Sequence, residues 1–114
     1  MKKALALFFL FLGACHPRPI EDLVLADVAL KAAQKVKADA LAPDLYRRAE
    51  NLFLRAKKDF NEGYFDSSRK YANDARQFAE KAEYKALLKQ TQMKEKTAEE
   101  GLGTTMEPVP ESNE

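Results

Sequence analysis

Residues 43–63 read PDLYRRAENLFLRAKKDFNEG, and they contain the clearest helix-packing pattern in the chain. Large and small side chains alternate along it in steps of three and four residues, at Tyr46, Ala49, Phe53, Ala56, Phe60 and Gly63. A period of about 3.5 residues is the spacing with which helices pack side by side, a large side chain of one entering a gap in the other. Pro43 suits the first turn of such a helix, and Gly63 suits the position just after its end. The pattern predicts a helix over residues 43–62 with one packing seam.

A first helix is predicted before this stretch, over residues 22–41. Its apolar residues recur at spacings of three and four, at Ala26, Val28, Ala29, Leu30, Ala33, Val36 and Ala40. Such spacing places them on the buried side of an amphipathic helix. The helix is expected to end at Ala42, because a residue that precedes a proline is disfavoured in helical geometry.

A third helix is predicted after the turn at Gly63, over residues 67–94, with Asp66 or Ser67 as its N-terminal cap. Small side chains dominate its stripe, which consists of Ser68, Tyr71 or Ala72, Ala75, Phe78 or Ala79, Ala82, and Ala86 or Leu87. Small side chains allow close approach, so the second and third helices are expected to form a tight hairpin. Beyond Ala82 the sequence is rich in Lys, Gln and Glu, and this end is expected to project past its partners.

The predicted fold class is therefore all-α. We expect a small antiparallel three-helix arrangement, in which the first helix packs on the hairpin less firmly. The helical domain is assigned to residues 22–96. Residues 97–114 combine glycine, proline and acidic residues with few apolar ones, a composition typical of a disordered tail.

The first fifteen residues have the pattern of an export signal. Lys2 and Lys3 precede an apolar run over residues 4–12, which is followed by Gly13, Ala14 and Cys15. A positive start, a short apolar segment and small residues before a cleavage site describe a secretory signal peptide. The run is much shorter than the ~20 apolar residues that a membrane-spanning helix needs.

The segment Leu12-Gly13-Ala14-Cys15 resembles the lipobox of bacterial lipoproteins, which reads Leu, a small residue, Gly or Ala, and then Cys. The resemblance implies that residues 1–14 are removed between Ala14 and Cys15, and that Cys15 receives a diacylglycerol group and usually a further acyl chain. Two or three chains hold a protein on a membrane far more firmly than one. His16 stands where enterobacterial lipoproteins that stay at the inner membrane have Asp. The resemblance thus favours the periplasmic face of the outer membrane.

Two other interpretations of Cys15 remain. The segment could be an ordinary secretory signal in which the cysteine is incidental, or Cys15 could be a free buried thiol. Burial is disfavoured because Pro17 and Pro19 follow closely and make residues 15–21 an extended stalk. A disulfide within the chain is excluded, because the sequence has one cysteine.

The composition argues against several function classes. The chain has 19 basic and 18 acidic residues, whereas a nucleic-acid-binding domain is strongly basic. Its one histidine, His16, adjoins its one cysteine, and no glycine-rich phosphate loop is present. We therefore expect no catalytic residue, no metal site, no cofactor and no nucleic-acid partner.

The helical region resembles a bacterial domain of unknown function called DUF4398. The resemblance rests on Ala42-Pro43, on alanines at 49, 56, 72 and 75, and on Gly63-Tyr64 between the helices; it covers roughly residues 24–86. The family occurs in small envelope lipoproteins, sometimes before a peptidoglycan-binding domain of the OmpA type. The turn departs from the family's Gly-Asp-Tyr pattern. The helix pair is also similar to one tetratricopeptide unit, although such units normally stack in threes or more.

These features lead to two hypotheses about function. In the first, the lipid on Cys15 tethers a non-catalytic scaffolding module that binds another envelope protein or a second copy of itself. Its candidate contact residues are the aromatic side chains Tyr46, Phe53, Phe60, Tyr64 and Phe65, together with the projecting end of the third helix. In the alternative, the protein supports the envelope structurally by contacting peptidoglycan.

Overall fold

The computed structural model describes residues 17–103, and all regular structure in this range is helical. Its four helices are α1 (Ile20–Lys35), α2 (Ala38–Leu41), α3 (Pro43–Asn61) and α4 (Phe65–Gly103). The predicted all-α class is confirmed for this part of the chain. The signal segment, the cleavage site Ala14–Cys15 and residues 104–114 lie outside the described residues.

A tight turn joins α3 to α4, and Gly63 makes it possible. Its φ of 84° is left-handed, a conformation that glycine adopts without steric cost. The amide of Gly63 donates to the carbonyl of Phe60 at 3.1 Å, and the amide of Tyr64 donates to the carbonyl of Asp59 at 2.8 Å. This pair of bonds satisfies carbonyls that the helix end would leave open. The predicted role of Gly63 is confirmed.

Contacts between α3 and α4 run in opposite directions along the two helices. Arg48 meets Phe78 and Arg55 meets Tyr71, while nearer the turn the buried hydroxyl of Ser68 donates to the carbonyl of Ala56 at 2.8 Å. Residues later in α3 thus contact residues earlier in α4, so the two helices form a hairpin.

Alanine supplies most of the core. The buried residues include Tyr46, Leu30 and Ser68, but the rest of the interior is lined chiefly by Ala26, Ala29, Ala33, Ala38, Ala42, Ala49, Ala56, Ala72, Ala75, Ala79, Ala82 and Ala86. These side chains come from all four helices. Because a methyl group is small, the backbones approach closely and little apolar area is buried per residue. Stability therefore depends on close fit rather than on large side chains.

The burial expected for the seam of α3 is partly wrong. Tyr46, Ala49 and Ala56 are buried as predicted, whereas Phe53 and Phe60 are only half-buried and Gly63 is exposed. The alanine faces leave too little room for phenylalanine rings between the helices. Phe53 lies instead beside the alanines. It packs against two clusters of buried residues, one that includes Ala49 and Ala79 and one that includes Ala56 and Ala72.

The predicted first helix is divided into two. Helix α1 ends at Lys35, and Lys37 has a left-handed φ of 57°, so α2 starts again at Ala38. For a residue with a side chain, this conformation costs about 1–2 kcal/mol. The break brings Ala38 and Ala42 into the core. The side-chain amide of Gln90 donates to the carbonyl of Val36, which the break leaves without a helical partner, at 2.7 Å. Tertiary contacts therefore override a local sequence that contains no helix breaker.

The N-terminal boundary also differs from the prediction. Helix α1 begins at Ile20, two positions before the expected start, and Pro19 is buried at its N-terminal end. The guanidinium of Arg69 on α4 donates to the carbonyl of Pro17 at 2.9 Å and lies 3.4 Å from the carboxylate of Asp22. The last residues of the predicted stalk are thus held against the helices.

Helix α4 is longer than predicted at both ends. It starts at Phe65, so Asp66 and Ser67 lie in its first turn rather than at its cap, and the hydroxyl of Ser67 bonds to the carboxylate of Asp59. At its other end it continues to Gly103, although residues 97–103 were expected to be disordered. Residues 91–100 contain no proline or glycine to stop the helix, and good helix formers predominate there.

An alanine-lined core predicts that the same substitution lowers stability at a buried position of α4 and leaves it nearly unchanged at an exposed position. Ala75→Leu adds three carbons at a fully buried position and is expected to lower the free energy of unfolding by about 1–3 kcal/mol. Ala98→Leu makes the same change at an exposed position and is expected to stay within about 0.5 kcal/mol of wild type. Urea unfolding followed by circular dichroism measures both. Equal effects of the two variants would contradict the alanine core.

Candidate interaction surface

The five aromatic residues expected to form a contact surface do not lie together. Tyr46 is in the core, and Phe53 is half-buried beside it. Phe60 and Phe65 pack against each other across the turn, with ring centroids 5.6 Å apart at 55°, while Tyr64 between them is exposed. Of the five, Tyr64 is the one that presents most of its ring to solvent. The five residues therefore do not form one accessible aromatic surface, and a contact role for the exposed Tyr64 stays a prediction.

The half-buried rings on the hairpin flank are covered by basic side chains. The guanidinium of Arg48 lies 4.4 Å from the Phe78 ring centroid, and that of Arg55 lies 4.6 Å from the Tyr71 centroid. Each pair joins α3 to α4, and an exposed pair of this kind contributes about 0.5–1 kcal/mol. The basic residues of α3 thus stabilise the hairpin, and they shield rings that would otherwise be available to a partner.

Tyr46 occupies the end of the core near the start of α3. Burial raises the pKa of its phenol, and the negative charge of Glu50, a hydrogen bond to that carboxylate and the charge of Asp39 raise it further. Every cause favours the neutral phenol. This residue therefore has a structural role, and its hydroxyl stays protonated at neutral pH.

The exposed end of α4 begins where two polar side chains attach it to the other helices. The ammonium of Lys89 donates to the carbonyl of Leu41 at 2.5 Å, and Gln90 bonds to the carbonyl of Val36 as described above. Both carbonyls end helices and would otherwise be unsatisfied. From Thr91 to Gly103 every residue is exposed. We call residues 91–103 the overhang.

A depression of about 410 Å³ lies at the base of the overhang. Its apolar part is formed by Leu41 and Met93, and its rim carries charges of both signs from Lys89, Glu95, Lys96 and Glu99. An apolar centre within a polar rim is the common anatomy of a protein–protein contact. The sequence predicted the projecting end but not this depression, because Leu41 and Met93 lie far apart in the chain.

Helix α1 has a second apolar face, which the sequence analysis missed. Ile20, Val24, Leu25 and Val28 are 47–56% exposed, at spacings that place them on one side of the helix. Val28 and Ala40 were both expected in the core and are exposed instead. The sequence did contain a signal of this second face: residues 20–30 have more large aliphatic side chains than one buried stripe can accommodate. We call these four residues the outer face of α1.

Neither a metal centre nor a spanning helix is found in residues 17–103. This range contains no group of three or more His, Cys, Asp and Glu residues placed to hold a metal ion. None of its helices is long and apolar enough to cross a bilayer.

Comparison with known proteins gives no relative. No family model matches the chain, and no curated protein or solved structure matches it either.

The raised pKa of Tyr46 predicts a loss of stability in alkali. An unfolded tyrosine loses its proton near pH 10. Folded Tyr46 holds its proton to higher pH, so its contribution is complete below the unfolded pKa and is lost as the pH rises through the folded value. The tyrosinate absorbance of wild type minus that of Tyr46→Phe gives its titration curve.

The midpoint of that curve is expected above the midpoint of the chain unfolded in urea. Glu50→Gln should lower it without restoring the unfolded value, because burial is the largest cause of the shift. A wild-type midpoint at or below the unfolded value would contradict the position of Tyr46.

Proposed function

We propose that this protein is a membrane-anchored lipoprotein of the cell envelope and acts as a non-catalytic scaffolding module on the periplasmic side. In this proposal Cys15 carries the lipid, and the outer membrane is the destination because His16 replaces the Asp that retains lipoproteins at the inner membrane. In this proposal the helices form a DUF4398-like domain, with the three long helices α1, α3 and α4 in an antiparallel arrangement. The partner is another envelope protein.

The overhang is the observation that carries the proposal. It continues α4 for thirteen residues, or about 20 Å at 1.5 Å per residue, and all of them are exposed. Its sequence is polar around the whole helix, apart from Met93, Ala98 and Leu102. One role of a helix that is polar on all sides is to bridge between domains through solvent. The overhang therefore suits a contact with a separate protein.

The depression at the base of the overhang supports the same role. Met93 is 48% exposed there beside Leu41, and methionine adapts its shape to different partners. Both acidic and basic residues line it, which suits a partner surface with charges of both signs. The depression and the overhang together form one continuous candidate contact, which replaces the aromatic set expected from the sequence.

The position of the anchor supports a scaffolding role. Cys15 is two residues before Pro17, whose carbonyl Arg69 holds near the start of α4. From Arg69 to Gly103, α4 extends for about 50 Å at 1.5 Å per residue. The proposed lipid and the candidate contact thus lie at opposite ends of one helix, which sets the distance between membrane attachment and partner.

Site-specific photocrosslinking in cells tests this proposal. A photoreactive phenylalanine analogue is placed at Met93 or Ala98, with Gln77 as the control because it is exposed on the same helix away from the overhang. We expect discrete crosslinks to an envelope protein from positions 93 and 98, weak crosslinks from 77, and loss of all specific crosslinks in Cys15→Ser.

Equal crosslinking from positions 77, 93 and 98 in a membrane-bound protein would contradict the scaffolding proposal. The alternative is structural support of the envelope through peptidoglycan, which the length of α4 also suits. It would be favoured if the crosslinked protein sedimented with purified sacculi and no protein partner was found.

A further inference from the structure

We propose that the outer face of α1 lies against the lipid surface to which Cys15 is attached. This inference rests on the proposed function, because it takes the lipid on Cys15 as the tether. It adds a second, non-covalent membrane contact and fixes how the helices lie relative to the bilayer. The contact consists of Ile20, Val24, Leu25 and Val28, each about half exposed.

The distance from the anchor favours lipid as the occupant. Ile20 follows Cys15 by five residues, so a fully extended chain places it within about 18 Å of the anchored sulfur. The bond from Arg69 to the carbonyl of Pro17 and the burial of Pro19 hold the chain from Pro17 onward against the helices. The start of α1 is therefore held near the bilayer, with its exposed aliphatic side chains beginning at Ile20.

The chemistry of the outer face also favours lipid over protein. All four side chains are aliphatic, whereas the centres of protein interfaces are enriched in aromatic residues and arginine. Four half-exposed side chains provide on the order of a few hundred Å², well below the roughly 800 Å² per partner of a stable complex. A small aliphatic face adds a non-covalent contact to the two or three acyl chains proposed on Cys15, and it orients the helices at the bilayer rather than deciding whether the protein stays attached.

The charged residues around this face are compatible with a membrane surface. Lys31 and Lys35 continue the same side beyond Val28, and their long side chains can extend the ammonium groups to the lipid headgroups. Lys31 also pairs with Asp27 at 2.5 Å. Glu21 is the acidic residue within the face, and it lies in the first turn of α1, where the helix dipole favours a carboxylate.

This contact determines the direction of the overhang. Helix α1 runs alongside α4, since Asp22 pairs with Arg69 near one end and Val36 with Gln90 near the other. If α1 lies in the membrane surface, α4 runs roughly parallel to that surface. The overhang then extends along the membrane rather than away from it, and its partner is a protein at the membrane surface.

Depth-dependent fluorescence quenching tests the contact on the full acylated protein. Val24→Cys carries an environment-sensitive fluorophore, and Leu54→Cys on α3 is the matched control, because the two side chains are 54% and 58% exposed. Each labelled protein is bound to phosphatidylethanolamine–phosphatidylglycerol vesicles with or without brominated acyl chains. We expect brominated lipid to quench most of the fluorescence at Val24 and little at Leu54.

A second substitution shows whether the quenching depends on the face. Val28→Glu replaces an exposed side chain and so leaves the core intact. It is expected to abolish quenching of the Val24 probe while the protein still floats with the vesicles.

The outcomes separate the two proposals. A protein that does not float with vesicles overturns the lipid tether and this contact together. A protein that floats without preferential quenching at Val24 overturns the contact alone. A Val24 probe that is shielded from water but not quenched assigns the face to another protein or to a second copy, and this also overturns the membrane contact.

Discussion

The close approach of α3 and α4 across their alanine faces determines where the larger side chains of the protein can lie. Ala49 and Ala56 face Ala72, Ala75 and Ala79 with almost no exposed surface, and the buried hydroxyl of Ser68 reaches the carbonyl of Ala56 at 2.8 Å. Larger side chains cannot enter so narrow a space. The rings of Phe53, Tyr71 and Phe78 therefore lie at the flanks, where arginine and lysine side chains cover them.

This arrangement leaves two surfaces for function. A core built from methyl groups needs little helix surface, so the outer face of α1 keeps four aliphatic side chains in solvent. The covered part of α4 ends where Lys89 and Gln90 bond the ends of α2 and α1, and the helix continues as the overhang. One surface is near the proposed lipid on Cys15 and the other is far from it, which accords with a tethered scaffolding module.

The sequence predicts the helices better than it predicts their neighbours. The proline in the first turn of α3 and the glycine just after its end are local signals, and both boundaries were predicted correctly to within a residue. The break at Lys37 was missed because it depends on distant contacts, the burial of Ala38 and the bond from Gln90 to Val36. Likewise, the large-and-small repeat gave the correct face of α3, but whether Phe53 or Ala56 is buried depends on how closely α4 approaches. The projecting end of α4 could be foreseen from its loss of apolar periodicity, although residues 97–103 were expected to be disordered rather than helical. The outer face of α1 left a signal in its excess of large aliphatic side chains, but the periodic pattern alone did not predict it, because such a pattern does not say how many neighbours a helix has.

Hydrogen exchange of the purified protein, resolved along α4, tests the division of this helix most directly. Residues 68–86 carry the side chains that α4 contributes to the core. Their backbone amides should exchange slowly, with protection close to that of global unfolding. Amides of residues 91–103 should exchange orders of magnitude faster, because that part of the helix is fully exposed. Uniform protection along the whole of α4 would contradict the division of α4 into a covered segment and an exposed overhang, and would remove the observation on which the scaffolding proposal rests.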